Sequence, residues 1–124
     1  MRQENVMFFT EKEEEFVNLL IEIGTKRNVA KVLVFLANTP EATSRAIERG
    51  TDLRQPEVSI AMRYLMEQGW IKSRESKAKS KGRPVKIYEL AKPITEIMDG
   101  IEKGKKKEAN YQLQMIQKLR DYIH

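Results

Sequence analysis

The first periodic pattern in the chain predicts an amphipathic helix. Thr10 and Glu13 have the spacing of a capping box, in which each side chain binds the backbone N–H of the other residue at a helix start. The apolar residues that follow recur at i, i+3, i+4 and i+7, which is one face of a helix: Phe16, Leu19, Leu20 and Ile23. We therefore expect a first helix that begins after Thr10, packs through these four residues and ends near Gly24.

Three further patterns predict three shorter helices. Residues 26–37 carry an inward stripe of valine and leucine, and the next helix begins within residues 41–44 and ends near Gly50. After a turn, Pro56 fits the first turn of a fourth helix over residues 56–68, where its missing N–H costs nothing. The apolar face of this fourth helix consists of Val58, Ala61, Met62 and Leu65.

The pattern then changes to short strands and returns to a helix. Residues 70–75 and 85–90 are typical of strands, and the charged segment 76–84 between them has the length of a hairpin loop. From Pro93 a helical pattern continues to about Tyr122, with two apolar patches on either side of a lysine-rich bridge. The side chains expected to hold the second strand to the helices are Val85, Ile87 and Leu90.

The order of these elements predicts a mainly α fold with a small β-hairpin, an α+β arrangement. Two helices joined by a short turn and followed at once by a hairpin are a winged helix-turn-helix. The second helix of a helix-turn-helix fits the major groove of DNA. We therefore expect residues 1–92 to form a winged helix-turn-helix DNA-binding domain and residues 93–124 to form a C-terminal helical dimerisation segment.

Composition excludes several kinds of site. The chain has no cysteine, and its single histidine is the terminal His124. The residues that a thiolate zinc site, a cysteine nucleophile or a histidine-based triad requires are therefore missing. We expect no metal, no cofactor and no enzymatic activity. No apolar run approaches the roughly 18 residues of a membrane span, which favours a soluble, cytoplasmic protein.

The positive charge is concentrated in the predicted hairpin. Residues 72–86 carry seven basic side chains and a single acidic one, a net +6, whereas the whole chain carries a formal net charge of +5. A basic segment of this kind favours a polyanionic partner. The competing interpretation is a solvated charge run without a partner.

Two stretches resemble known winged-helix regulators. The stretch "LRQPEVSIAMRYLMEQGWI" (residues 53–71) resembles the recognition helix of ArsR-type regulators, with Q-P-x-V-S followed by L-x-x-x-G and an apolar pair. The stretch "KGRPVKIYEL" (residues 81–90) resembles the wing of archaeal TrmB-like regulators, with G-R-P-x-x-x-Y-x-L. The resemblance covers about residues 29–90 and implies a homodimeric transcriptional regulator, most simply a repressor, that binds double-stranded DNA.

The candidate DNA-binding residues fall in three groups. In the recognition helix they lie on or near the face opposite the apolar one: Arg54, Gln55, Glu57, Ser59, Ile60 and Arg63. At the start of the third helix, backbone N–H groups could hold a phosphate, or the residues could only cap the helix: Thr43, Ser44 and Arg45. In the wing they are the basic side chains Arg74, Lys77, Lys79, Lys81 and Arg83.

An apolar stripe on the first and last helices predicts a homodimer. A helix with an exposed apolar face usually marks an interface. The alternative is that the last helix folds back on its own domain. The candidate dimerisation residues are Phe16, Leu20, Ile97, Ile101, Leu113, Ile116, Leu119 and Ile123.

One function of another class competes with DNA binding. Winged helices also serve as protein–protein interaction modules within larger complexes, so the fold does not decide the function. The lysine-rich wing argues against this alternative, because protein interfaces are depleted in lysine. RNA is a weaker candidate, because the deep, narrow major groove of A-form RNA does not admit a recognition helix.

Overall fold

The computed structural model describes residues 9–76 and 84–124. Within them the elements follow the order α1 (Glu11–Glu22), α2 (Arg27–Ala37), α3 (Ser44–Thr51), α4 (Gln55–Glu67), β1 (Ile71–Ser76), β2 (Val85–Leu90) and α5 (Ile94–Ile123). This confirms the predicted α+β winged helix-turn-helix with a long C-terminal helix. The chain divides into two compact units, Met1–Lys92 and Pro93–His124.

Helix α1 begins at the predicted capping box but turns a different face inward. The Thr10 N–H donates to Glu13 Oε1 at 2.9 Å, and the Glu13 N–H donates to Thr10 Oγ1 at 3.1 Å. The buried residues are Val17 and Leu20. Leu19 is 58% exposed and Ile23 is 44% exposed, so the predicted inward stripe is wrong for these two residues. The five apolar residues of α1 spread over more than half of the circumference of the helix, and its packing against α2 buries only Val17 and Leu20.

Helix α2 is the centre of the domain core, because α1, α3 and α4 all pack against it. A helix in contact with three neighbours must be apolar around most of its circumference. The sequence meets this requirement with Val29, Ala30, Val32, Leu33, Val34 and Leu36, all of which are buried.

Helices α2 and α3 approach each other closely at a glycine. A Cβ atom placed on Gly50, in the last turn of α3, would lie 2.1 Å from Cε1 of the Phe35 ring of α2. Only glycine has no Cβ, so this residue allows the first helix of the helix-turn-helix to lie against the core.

Side-chain caps define the start of both helices of the helix-turn-helix. At α3, Thr43 Oγ1 accepts from the Ala46 N–H at 3.1 Å. At α4, Glu57 Oε1 accepts from the Arg54 N–H at 2.9 Å. Between the helices, Asp52 adopts the left-handed conformation, with φ 59°, and ends α3.

We expect Thr43→Ala to lower the free energy of unfolding by about 1 kcal/mol, because the Ala46 N–H loses its cap. Urea unfolding followed by circular dichroism measures this loss. Thr43→Ser keeps a hydroxyl cap and should stay close to wild type. An equal loss in both variants would mean that the methyl group, and not the cap, supplies the stability.

The hairpin is joined to the helix-turn-helix by a third extended segment. Strands β1 and β2 are antiparallel, with Ser73 opposite Tyr88. The Ala42 N–H donates to the Tyr88 carbonyl at 3.0 Å, and the Tyr88 N–H donates to the Ala42 carbonyl at 2.8 Å. Val85 is 44% exposed, so its expected role in holding the strand to the helices is wrong. Backbone pairing at Ala42 fastens β2 to the domain instead.

Helix α5 continues for 30 residues without a break at Gly100 or Gly104. Ile97, near its start, is fully buried, whereas the apolar residues of its second half are largely exposed. None of the helices in the described ranges is both long and apolar enough to cross a membrane.

Candidate nucleic-acid interface

Helix α4 presents one face to the core and the opposite face outward. The buried residues are Val58, Ala61, Met62 and Leu65. At about 100° per residue, Ile60 and Arg63 project almost directly away from this stripe, about 60° apart around the helix axis. Both are exposed, so the core-facing stripe predicted from sequence and the outward position of these two candidates agree with the structure.

The first turn of α4 holds a pair of polar side chains in contact. Gln55 Nε2 donates to Ser59 Oγ at 2.9 Å, and both side chains are exposed. A glutamine amide has a second N–H and a carbonyl oxygen, which can bind further partners. Glu57 is half-buried, and its carboxylate caps the Arg54 N–H, which gives this candidate a structural role.

An open cleft of about 470 Å³ brings three elements together. Ser44 of α3, Ser59 and Arg63 of α4, and Tyr88 of β2 all line it. Three sequence candidates, one from α3 and two from α4, therefore share one surface. Tyr88 was missing from the candidate set, and the tyrosine of the G-R-P-x-x-x-Y-x-L pattern was the signal for it.

The residues at the start of α3 have different surroundings. The Thr43 hydroxyl is already used as the helix cap. Ser44 is half-buried at the edge of the cleft, and Arg45 is exposed. Of the two interpretations left open for this segment, capping therefore describes Thr43, and contact with an anion stays a prediction for its two neighbours.

On the other side of α4, a smaller cavity of about 250 Å³ lies between this helix and the turn before α2. Ile60 and Tyr64 of α4 line it together with Thr25, Lys26 and Val29. The structure thus adds Lys26, which no local pattern singled out, to the basic side chains near the outward face of α4.

In the described part of the hairpin, some basic side chains are neutralised by acidic neighbours. Arg74 is paired with Glu41, and its Nε also lies 3.8 Å from Glu89 Oε2. Lys72 Nζ lies 3.9 Å from the same Glu89 oxygen. Arg74 is therefore less available to phosphate than its position in the wing suggested. The other wing candidates lie outside the described residues: Lys77, Lys79, Lys81 and Arg83.

The candidate dimerisation residues divide into two groups. Leu20 is 2% exposed and Ile97 is 0% exposed, so both are already buried and are not available to a second chain. Phe16 and Ile101 are half-buried. The exposed group lies in the second half of α5: Leu113, Ile116, Leu119 and Ile123.

Within residues 9–76 and 84–124, no group of three or more His, Cys, Asp and Glu side chains is placed to hold a metal ion. Of the carboxylates near the interface, Glu57 caps a helix, Glu41 and Glu89 pair with basic side chains, and Glu67 lines the cleft. Besides this carboxylate, the surface around α4 offers amide, hydroxyl, guanidinium and aliphatic groups, which suit hydrogen bonding and apolar contact with base edges.

The fold and this surface define a winged helix-turn-helix domain. Residues 23–81, which include α2, the helix-turn-helix and β1, match the family model described as MarR family. Regulators of this family bind DNA, are usually dimers and are not enzymes. The finer resemblance to ArsR and TrmB regulators is not supported. A Gln-Pro helix start and a Gly-Arg-Pro hairpin suit the geometry of many winged helices, so these short motifs did not separate the families.

Solved structures support the same fold. A possible transcriptional regulator from Methanosarcina mazei Go1 is similar with a TM-score of 0.65 and 17% identity, over 93% of this chain and 98% of that one. A MarR family regulator from Neisseria meningitidis gives a TM-score of 0.50 and 20% identity, over 89% of this chain and 84% of that one. At these identities the likeness establishes the fold alone. Among curated protein sequences, none matches this chain.

Proposed function

We propose that this protein is a homodimeric transcriptional regulator, acting as a repressor, that binds specific sites in double-stranded DNA. Helix α4 enters the major groove, and the hairpin contacts the neighbouring phosphates. Two copies place two α4 helices in successive major grooves. Occupation of a promoter site then excludes the transcription machinery.

The observation that carries this proposal is the outward face of α4. Gln55, Ser59 and Arg63 are all exposed; Gln55 and Ser59 flank the core stripe in the N-terminal half of the helix, and Arg63 projects away from the stripe one turn further on. In helix-turn-helix proteins, this part of the second helix contacts base edges. Glutamine can pair with adenine, and arginine can pair with guanine or a phosphate.

The distribution of charge also supports DNA contact through α4 and the hairpin. The chain between Lys72 and Lys86 has a net +6, and it directly follows α4 and the tight turn at Gly69. Phosphate contacts supply affinity and fix register, whereas base contacts supply sequence preference. Side chains suited to base contact, on α4, and side chains suited to phosphate contact, in the hairpin, therefore follow each other directly in the sequence.

The exposed half of α5 supports the dimer. Leu113, Leu119 and Ile123 are 62%, 63% and 78% exposed. A helix in water gains most of its stability from packing an apolar face against a partner. A second copy of the chain, packed along this stripe, would supply that partner.

The test is selection of bound fragments from random duplex DNA, followed by salt titration of the selected sequence. We expect an inverted repeat with half-sites about 10 to 11 base pairs apart, centre to centre. We also expect affinity to fall steeply as salt concentration rises. Enrichment of no sequence, with salt-insensitive binding and co-purification of a protein partner, would favour an interaction module instead.

Two substitutions separate base contact from phosphate contact. Arg63→Ala should weaken the selected site by about 1–3 kcal/mol and relax base preference at one position per half-site. Lys81→Ala should weaken selected and unrelated DNA alike and reduce the salt slope by about 1. Gel shifts across a salt series measure both effects.

Arg49→Ala is the matched control, because Arg49 is an exposed arginine in the last turn of α3, at the end remote from the candidate residues 43–45. This variant should bind like wild type. If Arg63→Ala reduced affinity for all sequences equally, Arg63 would be a phosphate contact and not a base reader.

A further inference from the structure

We propose that Ile60 is a specificity-determining residue that contacts the 5-methyl group of a thymine in each half-site. This inference rests on the proposed function and adds one specific base contact to it. It predicts that the bound sequence has an A·T pair at one fixed position opposite the middle of α4, with the thymine methyl facing the protein.

The position of Ile60 is the first argument. It is 67% exposed, the most exposed large apolar residue in the described part of the winged-helix unit. Its neighbours one turn away on α4 include the exposed Arg63 and Tyr64, which is 43% exposed. Ile60 is therefore a large aliphatic group that lies beside a guanidinium and a tyrosine ring on the outward part of the recognition helix.

The local support of the side chain is the second argument. Ile60 shares the 250 Å³ cavity with Val29 and Tyr64, so one side of it lies over apolar groups of the same domain. A β-branched side chain in a helix is also confined to one strongly preferred χ1 rotamer. Ile60 thus presents a fixed aliphatic surface, and little conformational entropy is lost when that surface is covered.

The chemistry of the major groove supplies the partner. Of the four bases, only thymine places an apolar group there, its C5-methyl; the other edges offer donors and acceptors. An isoleucine cannot satisfy those donors and acceptors, so it disfavours other pairs at the position it covers. Isolated exposed aliphatic residues are common on protein surfaces. This one differs because the polar groups around it face the same groove.

The experiment replaces thymines of the selected duplex one at a time by uracil, which removes only the methyl group. For wild type we expect one position in each half-site at which a single uracil weakens binding about three- to five-fold, the effect of one buried methyl. Ile60→Ala should bind the thymine duplex as weakly as wild type binds a duplex with uracil at this position of both half-sites, and should be insensitive to the replacement. Ile60→Val should retain part of the sensitivity.

Leu19→Ala is the matched control, because Leu19 is 58% exposed and lies on α1, which carries none of the candidate DNA-binding residues. It should keep full sensitivity to uracil. If wild type binds the selected duplex and no uracil position changes its affinity, the thymine contact is refuted while the proposed function stands. If wild type selects no sequence at all, the proposed function itself fails. Circular dichroism of each variant verifies that it is folded.

Discussion

Gly50→Ala is expected to destabilise the protein by about 1–3 kcal/mol, the usual effect of overpacking a core contact. The new methyl group would lie 2.1 Å from a ring carbon of Phe35, so the ring or the whole of α3 must move. Urea unfolding at a fixed protein concentration measures the loss. Because α3 is the first helix of the helix-turn-helix, a shift of α3 should also weaken DNA binding by this variant at temperatures where it remains folded.

Gly104→Ala is the matched control, since Gly104 is also helical and nothing lies within 4 Å of its added Cβ. There the same substitution should stabilise the helix by about 0.5–1 kcal/mol, because alanine is the better helix former. In a Phe35→Leu background, where the ring is absent, Gly50→Ala should be less harmful than in wild type. An equal loss in both backgrounds would contradict the role of the ring contact.

If the protein is the proposed homodimer, of about twice 14.5 kDa, the double variant Leu113→Glu, Leu119→Glu is expected to convert it to a monomer of 14.5 kDa. It places two carboxylates in the exposed apolar stripe of α5, where a second copy would have to bury them. Sedimentation or light scattering measures the mass. Affinity for DNA with two half-sites should fall by about 10²-fold or more, because the second half-site is then no longer bound through a tethered copy.

Asn110→Asp, Gln114→Glu adds the same charge to the opposite, polar face of α5 and should remain dimeric. If both double variants were monomers, net charge and not the stripe would explain dissociation. If the Leu113, Leu119 variant stayed a dimer, the interface would have to lie elsewhere. The exposed Leu19 and Ile23 of α1 would then be the next residues to change.

Features that depend on neighbouring residues could be predicted from the sequence. The capping box at Thr10 and the strand over residues 85–90 require only local hydrogen bonds and local periodicity, and both are found in place. The core stripe of α4 was equally clear, because its apolar residues occupy a narrow arc and its polar residues occupy the rest.

Features that depend on residues distant in the sequence could not be predicted. Helix α1 has more apolar residues than one face can hold, and only packing against α2 leaves Leu19 and Ile23 outside. Arg74 looked free for phosphate, but its partner Glu41 is remote in sequence. The burial of Leu20 and Ile97 is likewise a tertiary property, so periodicity alone assigned both to a dimer seam.

The pairing of Ala42 with Tyr88 has a consequence for the order of folding. The two residues are joined by two backbone hydrogen bonds, and all of α3, α4 and β1 lie between them in the chain. Helices form early from local contacts, whereas a contact that closes a long loop must first overcome the entropy of closure. We therefore expect the hairpin to reach its final position after the helices have assembled, and the amide protons of Ala42 and Tyr88 to become protected last in this domain, which pulsed hydrogen exchange during refolding would measure.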